Sequence, residues 1–117
     1  MNRIKQKFDE LASNDSKALI TYIVAGDPDL DTTLSIMNCM VKEGADIIEI
    51  GIPFSDPMAE GLSIQRGHER ALQNKTSIKD SLSLVSKFRQ SNKTTPIVFM
   101  GYMNPVSYTH LRAHETR

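Results

Sequence analysis

The fold is decided by a short apolar run, Asp46-Ile47-Ile48-Glu49-Ile50, which ends at Gly51. A continuous run of β-branched residues is typical of a strand that is buried on both faces of a parallel sheet. Two similar runs, at residues 18–25 and 96–102, predict further strands. The first of these is also expected to be buried on both faces, and Gly26-Asp27-Pro28 ends it.

Between these strands, apolar residues recur at the spacing of amphipathic helices. The first predicted helix has the apolar stripe Ile4, Phe8 and Leu11, and the second has the stripe Leu34, Met37 and Val41 between a cap at Asp29 or Asp31 and an end at Gly44. A third helix is predicted at residues 64–72. The fourth has the stripe Ile78, Leu82, Val85 and Phe88 and begins at a capping box of Ser77 and Asp80. Alternating strands and helices predict parallel βα units with right-handed crossovers. The fold class is therefore α/β.

Both a doubly wound open sheet and a (β/α)8 barrel fit this pattern. The first strand-to-helix turn, Gly26-Asp27-Pro28-Asp29, lacks the Gly-x-Gly-x-x-Gly phosphate cradle, which weakens the dinucleotide-binding version. A closed barrel needs about eight strands, so the predicted strands would form only the first part of one.

Composition excludes several classes of protein. The chain of 117 residues has 14 Lys+Arg and 14 Asp+Glu, so it has no basic excess for binding nucleic acid. It contains no apolar run of about 18 residues that would span a membrane. With one cysteine, Cys39, and no secretory leader, we expect a cytoplasmic protein without a disulfide or a metal site, in which Cys39 is a buried or half-buried thiol.

Glu49 is the residue most indicative of chemistry. Side chains alternate along a strand, so Glu49 is expected to point away from the face that carries Ile48 and Ile50. In a covered sheet, this puts a carboxyl group in a poorly hydrated interior near the carboxyl end of its strand, where barrel enzymes carry catalytic side chains. Such a group suits general acid–base catalysis near neutral pH. The alternative is an edge-strand glutamate that faces water.

Other candidates have ordinary structural alternatives. Glu60 ends a loop limited by Pro53 and Pro57, and it either returns to the strand mouth near Glu49 or sits in the first turn of a helix. Asp56 and Asp27 are interpreted as turn residues. Three residues near strand ends can line a pocket for a flat substrate or belong to the core, namely Tyr22, Met100 and Tyr102. His68 lies in a polar segment and is expected to be solvated.

Residues 48–61, Ile-Glu-Ile-Gly-Ile-Pro-Phe-Ser-Asp-Pro-Met-Ala-Glu-Gly, closely resemble the signature of the tryptophan synthase alpha chain family. Gly26-Asp27-Pro28, Ile64-Gln65 and Tyr102-Met103-Asn104 match the same family in order and spacing. The resemblance covers roughly residues 1–106. It implies a TIM (β/α)8 barrel, with only the first three βα units present, and a lyase of tryptophan biosynthesis. The family cleaves indole-3-glycerol phosphate to indole and glyceraldehyde 3-phosphate.

The resemblance also implies roles for particular residues and for a partner. Glu49 matches the general acid–base and Glu60 matches the acid that binds the indole N–H, where the family usually has Asp. Tyr22, Met100 and Tyr102 match positions that line the indole pocket. Pro53 and Asp56 match the loop that faces the beta chain, in an alpha2-beta2 complex. The alpha chain uses no cofactor, whereas the beta chain joins indole to serine with pyridoxal phosphate.

Two expectations concern the whole chain. Residues 107–117 do not resemble the family and are interpreted as an artefactual tail, so residues 1–106 form the N-terminal part of a barrel. Such a part alone would expose apolar faces, and we expect it to be inactive. The alternatives in function are a non-catalytic subunit that regulates a beta-chain partner, which the Glu60 departure leaves open, and another phosphosugar barrel enzyme.

Overall fold

The computed structural model describes residues 2–53, 62–73 and 76–101. Three parallel strands form one sheet in the order β1-β2-β3, with β1 at Ile20–Val24, β2 at Ile47–Gly51 and β3 at Ile97–Met100. Helices lie between consecutive strands, so the predicted parallel βα units are confirmed.

The structure describes four helices, and two of them have the N-terminal caps that the sequence predicted. The four helices are α1 at Arg3–Ser13, α2 at Leu30–Lys42, α3 at Leu62–Gln73 and α4 at Ile78–Ser91. Asp29 caps α2 by accepting the Thr32 backbone N–H, and Ser77 and Asp80 form the capping box of α4. Gly44 follows α2 with φ of +110°, in the left-handed region that glycine adopts without strain. None of the helices within the described ranges has the length and apolar character needed to cross a membrane.

The core lies on one face of the sheet, under α2 and α4. Ile48 and Ile50 of β2 are fully buried there against Met37 of α2 and Phe88 of α4, together with Leu84. These side chains occupy alternate positions on β2 and one stripe on each helix, which is the pattern that buries apolar surface in an α/β unit. The opposite face of the sheet carries Glu49.

The expectation that β1 is buried on both faces is wrong. Ile20 is 47% exposed, the next three residues are half-buried and Val24 alone is buried. β1 is an edge strand of the described sheet, and on the face that carries Glu49 its Tyr22 and Val24 lie against α3. β2 is central and correspondingly better buried.

Cys39 is exposed, which corrects the expectation of a buried or half-buried thiol. Successive residues of a helix are separated by about 100°, so Cys39 lies about 200° around α2 from the buried Met37. The stripe that faces the core is set by Met37 and its neighbours one turn away, and Cys39 falls on the outer side.

The amino ends of β1 and β2 are joined by a side-chain hydrogen bond. The Leu19 backbone N–H donates to the Asp46 carboxylate at 2.7 Å, and the Leu19 carbonyl oxygen accepts from the Asp46 backbone N–H at 2.8 Å. Lys7 of α1 lies 3.9 Å from the same carboxylate. The contact holds the amino ends of the two strands together in the register that pairs Tyr22 with Glu49.

Candidate active site

Strand pairing brings Glu49 next to Tyr22. The Cα partner of Glu49 is Tyr22 on β1 and Val98 on β3, and paired residues of parallel strands point to the same face. Met100 pairs with Gly51, two residues further along, and therefore lies on this face as well. Three candidates that are far apart in the sequence thus share one face near the carboxyl ends of the strands.

The Glu49 side chain is half-buried on a central strand. Its neighbours Ile48 and Ile50 are completely buried on the opposite face. Because β2 pairs with a strand on each side, the alternative of an edge-strand glutamate is wrong. Among the described residues, no Lys, Arg or His forms an ion pair with this carboxylate.

His68 is buried, which corrects the expectation that it is solvated. It is 1% exposed, and its Nε2 lies 3.2 Å from the Tyr22 hydroxyl oxygen, within hydrogen-bond distance. His68 belongs to the buried stripe of α3 with Gly67 and Ala71, beside the half-buried Ile64. The spacing from Ile64 to Ala71 was the signal available in the sequence, because it places position 68 on the apolar side of the helix.

Asp27 has the predicted position in the turn after β1, and it also forms an ion pair with α3. Its two carboxylate oxygens accept from Arg70 Nε at 2.7 Å and Arg70 Nη2 at 3.0 Å. The hydrogen bond and the charge of Asp27 raise the pKa of Arg70. This bidentate geometry connects α3 to the carboxyl end of β1, close to the contact between Tyr22 and His68.

The turn between β1 and α2 has little freedom. The Gly26 backbone N–H donates to the buried Thr33 hydroxyl at 3.0 Å, and that hydroxyl donates to the Asp29 carbonyl oxygen at 2.8 Å. Gly26 has φ of +85°, and a Cβ there would collide with the Thr76 hydroxyl and lie 2.8 Å from Thr76 Cβ. The turn at the carboxyl end of β1, next to the candidate site, is therefore held by several contacts.

Of the remaining candidate residues, one lies within the described residues and three do not. Pro53 is the second residue after β2 and is buried. Glu60, Asp56 and Tyr102 lie outside the described residues. Within residues 2–53, 62–73 and 76–101, no group of three His, Cys, Asp or Glu side chains is arranged to bind a metal ion.

Comparison with known proteins identifies the family. The sequence profile described as "Tryptophan synthase alpha chain" matches residues 8–113. The tryptophan synthase alpha chain of Neisseria meningitidis serogroup B is 57% identical over 106 residues, which are 91% of this chain and 40% of the relative.

Solved structures agree with the sequence comparison. Tryptophan synthase subunit alpha from Legionella pneumophila superposes with a TM-score of 0.88 at 49% identity, over 93% of this chain and 42% of that chain. The tryptophan synthase complex of Pyrococcus furiosus superposes with a TM-score of 0.72 at 44% identity, over 81% of this chain and 38% of that chain. The three-stranded parallel sheet matches part of the TIM barrel of these neighbours, and the chain spans about 40% of the length of the relative from Neisseria meningitidis. The chain belongs to the tryptophan synthase alpha chain family.

Proposed function

We propose that this chain carries the proton-transfer part of a lyase active site that cleaves indole-3-glycerol phosphate to indole and glyceraldehyde 3-phosphate. The observation that supports this most is the pairing of the half-buried Glu49 with the aromatic Tyr22 on one sheet face. A carboxyl group beside an aromatic ring is suited to a reaction in which a flat heterocycle is protonated.

The reaction breaks the bond between indole C3 and the hydroxyl-bearing carbon of the glycerol chain. A proton is added at C3, and the hydroxyl loses a proton as its carbon becomes the aldehyde. In our proposal, Glu49 gives the proton to C3 and takes the proton from the hydroxyl, so it ends in its starting protonation state. A carboxyl group can both donate and accept a proton, so one side chain at position 49 can serve both transfers.

The other site residues have supporting roles in the proposal. Glu60 binds the indole N–H and stabilises the positive charge that develops when C3 is protonated. Tyr22, Met100 and Tyr102 line the indole pocket, where aromatic and thioether groups contact flat rings favourably. Tyr22 and Met100 share the face of Glu49, which supports this assignment.

We also propose a tryptophan synthase beta chain as the partner, with Pro53 and Asp56 in the loop that faces it. The family match supports this, as does the solved neighbour that is a tryptophan synthase complex. The proposed assembly contains two copies of each chain. The partner would use the released indole, and the pyridoxal phosphate would belong to the partner.

The activity is tested in a protein that we call the hybrid barrel. It consists of residues 1–106 of this chain joined to the part of the Neisseria meningitidis alpha chain that follows the matched region. We expect it to release indole from indole-3-glycerol phosphate, whereas the 117-residue chain alone should release none because the three described strands form only part of a barrel. A folded hybrid barrel that releases no indole, but still copurifies with the beta chain, would favour a non-catalytic subunit. A hybrid barrel that isomerises another phosphosugar instead would favour a different barrel enzyme.

A further inference from the structure

The face of the sheet that carries Glu49 also holds a hydrogen-bonded pair of polar side chains, the half-buried Tyr22 and the buried His68. The Tyr22 hydroxyl and His68 Nε2 share a hydrogen bond of 3.2 Å, in which the tautomer of the imidazole decides the donor. Buried polar groups are nearly always hydrogen-bonded, because an unsatisfied one is costly. Tyr22 and His68 therefore have a structural reason to stay together.

Gly51 provides the space for this pair. A Cβ at position 51 would lie 2.8 Å from Tyr22 Cζ and 3.3 Å from His68 Cε1, and it would also collide with the Tyr22 hydroxyl. The phenol and the imidazole thus pack directly on the backbone of β2. Gly51 is two residues from Glu49 on the same face of that strand, so the pair is adjacent to the carboxylate that we assign to proton transfer.

We propose that His68 is a positioning residue for the aromatic half of the substrate: it holds the Tyr22 ring against Gly51, so that the ring forms one fixed side of the pocket next to Glu49. The inference rests on the proposed function and adds a residue to it. A phenol that is already oriented loses less conformational freedom when a flat ligand packs against it. His68 acts through Tyr22 in this account and does not touch the reacting atoms.

The structure offers a control that separates positioning from simple support of α3. Arg70 lies on the same helix, two residues from His68, and ties α3 to β1 through Asp27. We expect an Arg70→Met substitution to weaken the attachment of the helix and to retain the hydrogen bond between Tyr22 and His68, which does not involve Arg70. If His68 only held the helix in place, both substitutions would affect the reaction in the same way.

The test is steady-state indole release by the hybrid barrel with the substitutions His68→Leu, His68→Gln and Arg70→Met. We expect His68→Leu to raise KM for indole-3-glycerol phosphate roughly 3- to 10-fold, the range of an aromatic contact, with kcat within about twofold. His68→Gln, whose amide can bond to the phenol, should recover most of the loss. Arg70→Met should leave KM within about twofold.

A second measurement uses Tyr22→Phe, which removes the hydroxyl and keeps the ring. Because His68 acts through that hydroxyl, the Tyr22→Phe/His68→Leu double variant should have a KM no higher than that of the worse single variant. An unchanged KM in His68→Leu, a fall in kcat at constant KM, or an equal rise in Arg70→Met would overturn the positioning role and leave the proposed lyase intact. Absence of indole release from the unsubstituted hybrid barrel would instead contradict the lyase itself, and with it this inference.

Discussion

Replacing Asp46 with Ala should destabilise the barrel by removing the contact between the amino ends of β1 and β2. The carboxylate accepts the Leu19 backbone N–H at 2.7 Å and lies 3.9 Å from Lys7 Nζ, and the Asp46 side chain is 19% exposed. A hydrogen bond to a charged group contributes about 1.5–3 kcal/mol. An ion pair at a partly exposed site adds about 0–1 kcal/mol.

Exposure of the donor residue decides where in this range the effect falls. Leu19 is 52% exposed, so water can replace the carboxylate at its backbone N–H. We therefore expect Asp46→Ala to lower the free energy of unfolding by about 1.5–2 kcal/mol. For a barrel of about 250 residues, this corresponds to a fall in Tm of roughly 3–8 °C.

The assay is urea unfolding of the hybrid barrel, followed by circular dichroism. Asp9→Ala is the matched control, since Asp9 pairs with Lys5 at 2.8 Å but both side chains are more than 60% exposed, at 67% and 72%. That variant should lose less than about 0.5 kcal/mol. Asp46→Asn keeps an acceptor oxygen for the Leu19 backbone N–H, so its loss of stability should be smaller than that of Asp46→Ala and larger than that of Asp9→Ala. The reasoning is refuted if Asp46→Ala is no more destabilising than Asp9→Ala.

Two further predictions concern the helix caps. Ser77→Ala removes the side-chain acceptor of the α4 capping box and should lower the free energy of unfolding of the hybrid barrel in urea by about 0.5–2 kcal/mol. The control is Ser83→Ala on the exposed side of α4, which should be neutral or slightly stabilising. Equal effects of the two substitutions would contradict the stabilising role of the cap. The Thr32 backbone N–H donates to the Asp29 carboxylate and lowers the pKa of that carboxyl group. The stabilisation of α2 by this cap is therefore present above the ordinary pKa of Asp and is lost as the pH falls through the lowered pKa. A carboxyl carbon titration by NMR should give a midpoint below that of Asp in an unfolded peptide, and a midpoint at or above that value would show that the cap does not form.

Local patterns were sufficient to predict most of the secondary structure. The strands around Tyr22, Glu49 and Val98 follow from β-branched runs, and the capping box at Ser77 follows from a motif that acts within one helical turn. The face on which Glu49 lies could also be predicted, because side chains alternate in any strand. These features depend on neighbours in the sequence.

Packing between distant segments could not be predicted in the same way. His68 was interpreted as solvated because its immediate neighbours are polar, yet α3 turns it toward Tyr22, which is 46 residues away. The partner of Asp27 is Arg70, 43 residues further along the chain. The exposed Cys39 and the partly exposed β1 likewise depend on which helix covers which face.

The central claim, that Glu49 transfers the proton, is tested most directly by the rate of indole release from the hybrid barrel with Glu49→Gln. The amide has nearly the shape of the carboxyl group but cannot exchange the proton, so we predict a fall in kcat of about 10²- to 10⁴-fold with an unchanged urea midpoint. Glu43→Gln, at the exposed end of α2, is the control and should retain full activity. A Glu49→Gln variant that releases indole within a few-fold of the unsubstituted rate would contradict the account.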